Sequence, residues 1–283
     1  MAATRVAGLE VPGARLHYEV RGAGPVLLVV PGMPADAGLY SVLARRLAGS
    51  FTVVTYDPRG MSRSQLDGPS TDQRVEVHAD DARRVLDAVG AGPAHVLTDS
   101  ISGLVGLHLA VTEPELLRTL VVFEPPATEL LPDRERWRAF YEELHDTYST
   151  QGLYPALHRF AEAAGLGGGG PPDPDPDPET TAAMARMDQN LDFWLAHVVR
   201  PSFMGYTPDI PALRAAPARI VVAIGDASGP HQVAWQATHA LAEQLGTTLL
   251  TVTGDHEVIT RHPGEVAELL RRVLEPGGRR SGR

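Results

Sequence analysis

The sequence predicts an α/β protein, a mostly parallel sheet with helices on both faces. Apolar runs such as "PVLLVVPG", "FTVVTYD", "AHVLTDS" and "LRTLVVFEPP" alternate with segments whose apolar residues recur at helical spacing. The runs are continuous rather than alternating, as expected of strands covered on both sides. This rhythm stops between residues 127 and 214 and then resumes, which places an insertion inside one core.

Taken in order, "RLHYEV" and "PVLLVVPG" read as strands, "AGLYSVLARRLAG" as a helix, "FTVVTYD" as a strand and "VEVHADDARRVLDAVG" as a helix. "AHVLTDS" is the next strand, "ISGLVGLHLAVT" a helix and "LRTLVVFEPP" a strand. The segments "DRERWRAFYEELHDTYSTQG", "YPALHRFAEAAG" and "PETTAAMARMDQNLDFWLAHVVR" are helical in pattern and form the inserted cap. Strands "ARIVVAIGD" and "TTLLTVTGDH", with helices "QVAWQATHALAEQLG" and "PGEVAELLRRVLEP", complete the chain. The expected division is a core of residues 1–126 and 215–275 and a cap of 127–214 between the sixth and seventh core strands. Glycines and spaced prolines over 165–178 favour a mobile loop, and 276–283 a disordered tail.

Bulk composition narrows the chemistry. With 283 residues, 43% hydrophobic and 21% charged, the chain can bury one large core. A net charge of −10 argues against nucleic acid or an anionic membrane as partner. There is no cysteine, which excludes disulfides, thiolate catalysis and cysteine-bound metals. Every basic residue besides histidine is arginine, which excludes a Schiff-base lysine. The N-terminus lacks a signal-peptide apolar core and no run reaches the ~20 residues of a membrane span, so a cytoplasmic protein is expected, as monomer or homodimer.

Three residues at strand ends suggest nucleophilic catalysis: Ser100 after "HVLTD", Asp226 after "RIVVAIG" and His256 after "TLLTVTGD". A serine hydroxyl attacks carbonyls when a base takes its proton, an acid orients the base and donors await the oxyanion. Two alternatives stay open. Glu124 in "VVFEPP" also follows a strand and could be the acid; Asp99 could be the nucleophile in a shifted register. The order nucleophile, any residue, small, small fits Ser100, Ile101, Ser102, Gly103 better than a turn starting at Asp99. Ser100 and His256 could equally be a helix cap and a strand-end histidine when each is viewed alone.

From "LLVVPGMPADAGLY" through "YDPRGMSRS" and the elbow to "GDHEVITRHP", the sequence resembles the α/β-hydrolase superfamily, in particular its capped esterase and lactonase-like branch. The resemblance implies Ser100 as nucleophile, His256 as general base and Asp226 as its orienter. It also implies an oxyanion hole from the backbone N–H groups of Met33 and Ile101, and structural roles for Asp57 and Arg59. The elbow departs from the family's G-x-S-x-G: Thr98 and Ser102 stand at the glycine positions, Met33 replaces a frequent second glycine, and Glu257 to Ile259 follow the histidine.

The implied function is hydrolysis of an ester, lactone or thioester with an apolar body through an acyl-enzyme. The departures leave open a repurposed non-hydrolytic enzyme of a biosynthetic pathway, a cyclase, lyase or dehydratase. Trp137, Phe140, Tyr141, Phe193, Trp194 and Met204 are candidates for an apolar substrate pocket, although aromatics at helical spacing also pack a cap onto a core. His197 and His145 in the cap are surface or pocket-lining candidates. No H-E-x-x-H, G-x-G-x-x-G or Walker pattern occurs, so no metal or nucleotide cofactor is expected, and the partner is a small-molecule substrate.

Overall fold

The computed structural model describes residues 4–166 and 177–275. The middle of the expected 165–178 loop and the whole expected tail therefore lie outside the described residues.

Nine strands form one sheet: β1 (Arg5–Val11), β2 (Ala14–Arg21), β3 (Val26–Val30), β4 (Thr52–Tyr56), β5 (Gln65–Leu66), β6 (Ala94–Asp99), β7 (Leu117–Phe123), β8 (Arg219–Gly225) and β9 (Leu250–Val252). Their spatial order is β1-β2-β4-β3-β6-β7-β8-β9, with β5 beside β2. Pairings from β4 through β9 are parallel, and those of β2 with β1, β4 and β5 are antiparallel. The edge strand β1 is additional to the expected strands. Its outer positions are exposed in alternation, so it has no continuous apolar run to announce it.

The central strands divide their side chains between two cores, following the period of two. Leu27 and Val29 of β3 and Leu97 of β6 face one side, while Leu28, Val30 and Val96 face the other. Helices α1 (Ser41–Leu47), α2 (Val75–Ala88) and α3 (Ser102–Thr112) follow the early strands. Leu43 and Leu47 of α1 join the first core; Val85 of α2 and Leu104 and Leu107 of α3 join the second.

Between β7 and β8 the described residues form helices and no strand: α4 (Arg134–Gln151), α5 (Leu153–Ala164), α6 (Pro178–Met184), α7 (Met187–Phe193), α8 (Pro201–Met204) and α9 (Ile210–Ala215). A π-helical turn, Trp194–Val198, extends α7. Helices α10 (Val233–Leu245), α11 (Val258–Arg261) and α12 (Pro263–Leu274) complete the core. Among the described residues, no helix is long and apolar enough to cross a membrane.

The inserted helices are tied to the loop that follows β3. Arg186 donates to Asp36 (Nε to Oδ2, 2.7 Å), and Asn190 donates to the Pro34 carbonyl at 2.9 Å. The Ser62 N–H donates to the Asn190 side-chain oxygen at 2.8 Å, and the Ser62 hydroxyl reaches Asp36 at 2.7 Å. Farther along, Glu179 accepts from Arg21 at 2.8 Å and from Arg45 at 3.0 Å.

The turn from β6 into α3 shows how an unusual sequence is packed. Thr98 is fully buried, and its methyl sits over Gly106 of α3, where an added Cβ would lie 2.5 Å from Thr98 Cγ2 and 2.9 Å from Leu120 Cδ1. The space a glycine would leave on the strand is therefore provided one helical turn later. Overpacking costs about 1–3 kcal/mol, whereas alanine returns at most about 1 kcal/mol of helix propensity. Gly106→Ala should thus lose about 1–2 kcal/mol in urea denaturation and become neutral or stabilising when combined with Thr98→Ala. Equal losses in both backgrounds would show that the two side chains do not share this space.

Candidate active site

Ser100 occupies the turn between β6 and α3 with φ of +54°, a left-handed conformation that L-residues adopt at a cost of roughly 1–3 kcal/mol. The turn is fastened from both sides. Ser100 N–H donates to the Phe123 carbonyl at 2.9 Å and Gly103 N–H to the Ser100 carbonyl at 2.8 Å. Ser102, at the second departure from glycine, fills its position with bonds: its Oγ accepts from Asp99 N–H at 2.9 Å and lies 2.8 Å from the Val30 carbonyl. The close approach of helix and strand is met at Gly103, where a Cβ would stand 2.6 Å from Pro125 Cβ.

His256 follows β9, and its Nε2 lies 3.0 Å from Ser100 Oγ. Its Nδ1 lies 2.6 Å from Glu124 Oε2. With Nδ1–H donating to the carboxylate, Nε2 is left as the acceptor for the serine proton. Glu124 is fully buried at the end of β7, also at positive φ (+41°), and its other oxygen accepts from Gly225 N–H at 2.9 Å.

This geometry corrects the expected acid. Asp226 does not meet His256: its Oδ1 accepts from Gly254 N–H at 2.9 Å, which closes the β8 and β9 loops on each other. The side chain is exposed and spent on a loop, whereas Glu124, the alternative acid, sits one strand nearer the nucleophile. Nor does Asp99 take the nucleophile's place. Its carboxyl accepts from Tyr40 Oη at 2.7 Å, whereas the His256 ring meets Ser100 and Glu124.

Burial alone would lower the pKa of His256, but the hydrogen bond and charge of Glu124 outweigh it and hold the imidazole above its ordinary range. Burial pushes Asp99 up to about 6, although the His256 charge and the Tyr40 hydrogen bond oppose it. Met33 and Ile101 line the cavity together with Ser100, and among the described residues their backbone N–H groups have no acceptor. Asp57 and Arg59 are structural: Asp57 accepts from Ala37 N–H and from Arg63, and Arg59 pairs with buried Asp81.

A cavity of about 290 Å³ opens over Ser100 and His256. Of the expected pocket residues, Trp194 and Met204 line it; Trp137, Tyr141, Phe193 and His197 do not. Trp137 and Tyr141 instead pack with Phe140 on the inner face of α4. Phe193 covers Gly60, where a Cβ would stand 2.3 Å from the ring, and stacks near His197. His197 and His145 lie away from the cavity, His197 within 3.8 Å of Asp72. The wall also holds Phe160, Leu166, Met187 and Val199, whose apolar character alone does not distinguish them from core residues. Among the described residues, no group of three or more His, Asp or Glu side chains is placed to hold a metal ion.

Comparison with known proteins gives the same frame. The sequence profile of the alpha/beta hydrolase fold family matches residues 25–153. The uncharacterized hydrolase YraK of Bacillus subtilis is 33% identical over 273 residues, 94% of this chain and 95% of that protein. A putative carbamate hydrolase, RutD of Azorhizobium caulinodans, is 39% identical over 110 residues, 38% of this chain and 40% of that one. Among solved structures, a thermophilic esterase from Thermogutta terrifontis superposes with a TM-score of 0.72 at 18% identity, over 97% of this chain and 98% of that one; this likeness is one of fold.

The two carboxylates can be told apart by titration. Removing the Glu124 charge leaves burial unopposed, so Glu124→Gln should bring the His256 pKa, followed by NMR, below its wild-type value. Asp226→Asn should leave that titration in place. A shift in the second variant and none in the first would reverse the assignment.

Proposed function

Because the chain belongs to the α/β-hydrolase family, we propose that it is a serine hydrolase of esters, thioesters or lactones with an apolar acyl part, using Ser100, His256 and Glu124. The observation that carries this reading is the continuous chain of contacts from Glu124 Oε2 through His256 to Ser100 Oγ. His256 takes the serine proton as Oγ attacks the carbonyl carbon. The oxygen, now an anion, settles on the N–H groups of Met33 and Ile101. His256 then returns its proton to the leaving alcohol or thiol as the acyl-enzyme forms. Water, deprotonated by the same imidazole, releases the acid. Glu124 keeps the ring in the required tautomer and stabilises the imidazolium.

Apolar walls from the core and the inserted helices favour a hydrocarbon or aromatic acyl body. Thr98, one of the departures that raise the non-hydrolytic alternative, is accommodated at Gly106, and His256 Nε2 stays 3.0 Å from Ser100 Oγ. That favours hydrolysis over the cyclase, lyase or dehydratase reading.

Intact-mass analysis after fluorophosphonate treatment should show one adduct on the wild type and none on Ser100→Ala. Hydrolysis of a p-nitrophenyl alkanoate should fall roughly 10⁴–10⁶-fold in the same variant. Since the base must be neutral, kcat/KM should rise with pH through a value above the ordinary histidine range. An unlabelled wild type that turns over no activated ester would overturn the proposal.

A further inference from the structure

Among the ionisable groups of the cavity that the mechanism leaves unused, Asp99 stands next to the nucleophile. Asp99 immediately precedes Ser100, lines the cavity and is only 8% exposed. One oxygen, Oδ2, accepts from Tyr40 Oη, and that hydroxyl in turn accepts from Gly32 N–H at 2.9 Å. Oδ1 has no donor among the described residues. The carboxyl lies against Gly32, where a Cβ would stand 3.2 Å from Asp99 Cγ and 2.7 Å from the Asp99 carbonyl oxygen, so a side chain at position 32 would force Asp99 to shift. Among the described residues of the lining, His256 is the only basic one, and Glu257 is a second carboxylate. Oδ1 keeps its contact with the solvent of the cavity, and a bound substrate that displaces that solvent must supply a donor or leave the oxygen unpaired.

The sheet order says which part of a substrate meets it. Gly32 follows β3 on one side of β6, while Glu124 and His256 follow β7 and β9 on the other. His256 hands a proton to the leaving group, so the leaving group lies on its side. Asp99, held against Gly32 and Tyr40, lies on the other side, beside Met33 and away from the place of the leaving group.

We propose that Asp99 is a specificity-determining residue whose free oxygen accepts a hydrogen bond from a nitrogen, an amide N–H or an ammonium, close to the reacting carbonyl in the acyl group. The inference rests on the serine-hydrolase reading and narrows its substrates to acyl groups that join an apolar body to such a donor. An analogue with carbon in place of that nitrogen leaves the carboxyl unpaired and is discriminated against.

The test uses two nearly isosteric esters, p-nitrophenyl N-acetylglycinate and p-nitrophenyl 4-oxopentanoate, in which CH₂ replaces N–H. Divided by their ratio of uncatalysed hydrolysis in the same buffer, the wild-type kcat/KM values should favour the N–H ester about 10–100-fold. In Asp99→Asn the amide oxygen takes the Tyr40 proton and the amide nitrogen faces the substrate, donor against donor, so the preference should vanish or invert. The ratio cancels any effect common to both esters, and fluorophosphonate labelling of Ser100 shows that the variant is folded. A wild-type ratio near that of buffer, or a ratio unchanged in a labelled Asp99→Asn, would overturn the role of Asp99 while leaving the hydrolase reading intact. A wild type that is neither labelled nor active removes both. Should Asp99→Asn fail to label, the wild-type ratio decides alone.

Discussion

The molecule depends on holding one serine in left-handed backbone geometry between a buried strand and a buried helix. At φ of +54° the Ser100 side chain projects beyond the sheet edge, but the strand and helix that flank it are forced together. The close contacts around it follow from that demand. Gly103 lies against Pro125, Gly106 receives the Thr98 methyl, and Gly32 lies under the Asp99 carbonyl and carboxyl. Ser102 replaces missing space with hydrogen bonds to both neighbouring strands. The strain is local, and the packing that sustains it spans β3, β6, β7 and α3.

The carboxylate that serves the imidazole is bound by the same geometry. Glu124 ends the strand next to β6, and its own positive φ turns the side chain along the sheet edge toward the ring. Its second oxygen is held by Gly225 N–H, so the group enters a buried site with partners on both sides. Asp226, one strand farther out, binds a loop amide and stabilises the turn that presents His256. Two acids at strand ends thus divide the work between electrostatics and loop geometry.

Much of this was legible in the residues themselves. Continuous apolar runs gave the parallel strands, and the small residues after Ser100 selected it over Asp99 as the turn residue. The acid was not decidable, because both Glu124 and Asp226 follow strands, and only the three-dimensional order β6-β7-β8 says which is nearer. The aromatic residues show a similar limit. Trp137, Tyr141 and Phe193 carry the same helical periodicity as Trp194, yet the first three face packing partners and only Trp194 faces the cavity. The π-helical turn changes the helical phase from Trp194 onward, and nothing in composition announces it. Edge strand β1 escaped for the opposite reason, since half of its side chains need not be apolar.

The ties among Arg186, Asn190, Asp36, Ser62 and Pro34 join the inserted helices to the segment that carries Met33. In the proposed reaction, the wall that meets the acyl group and the loop that carries the Met33 N–H are consequently one mechanical body. In such a protein, acquiring a new substrate by altering the insertion is not a change of fit alone: each substitution that shifts α7 also re-aims a donor at the reacting oxygen. Selectivity and catalytic rate are coupled through the architecture and drift together.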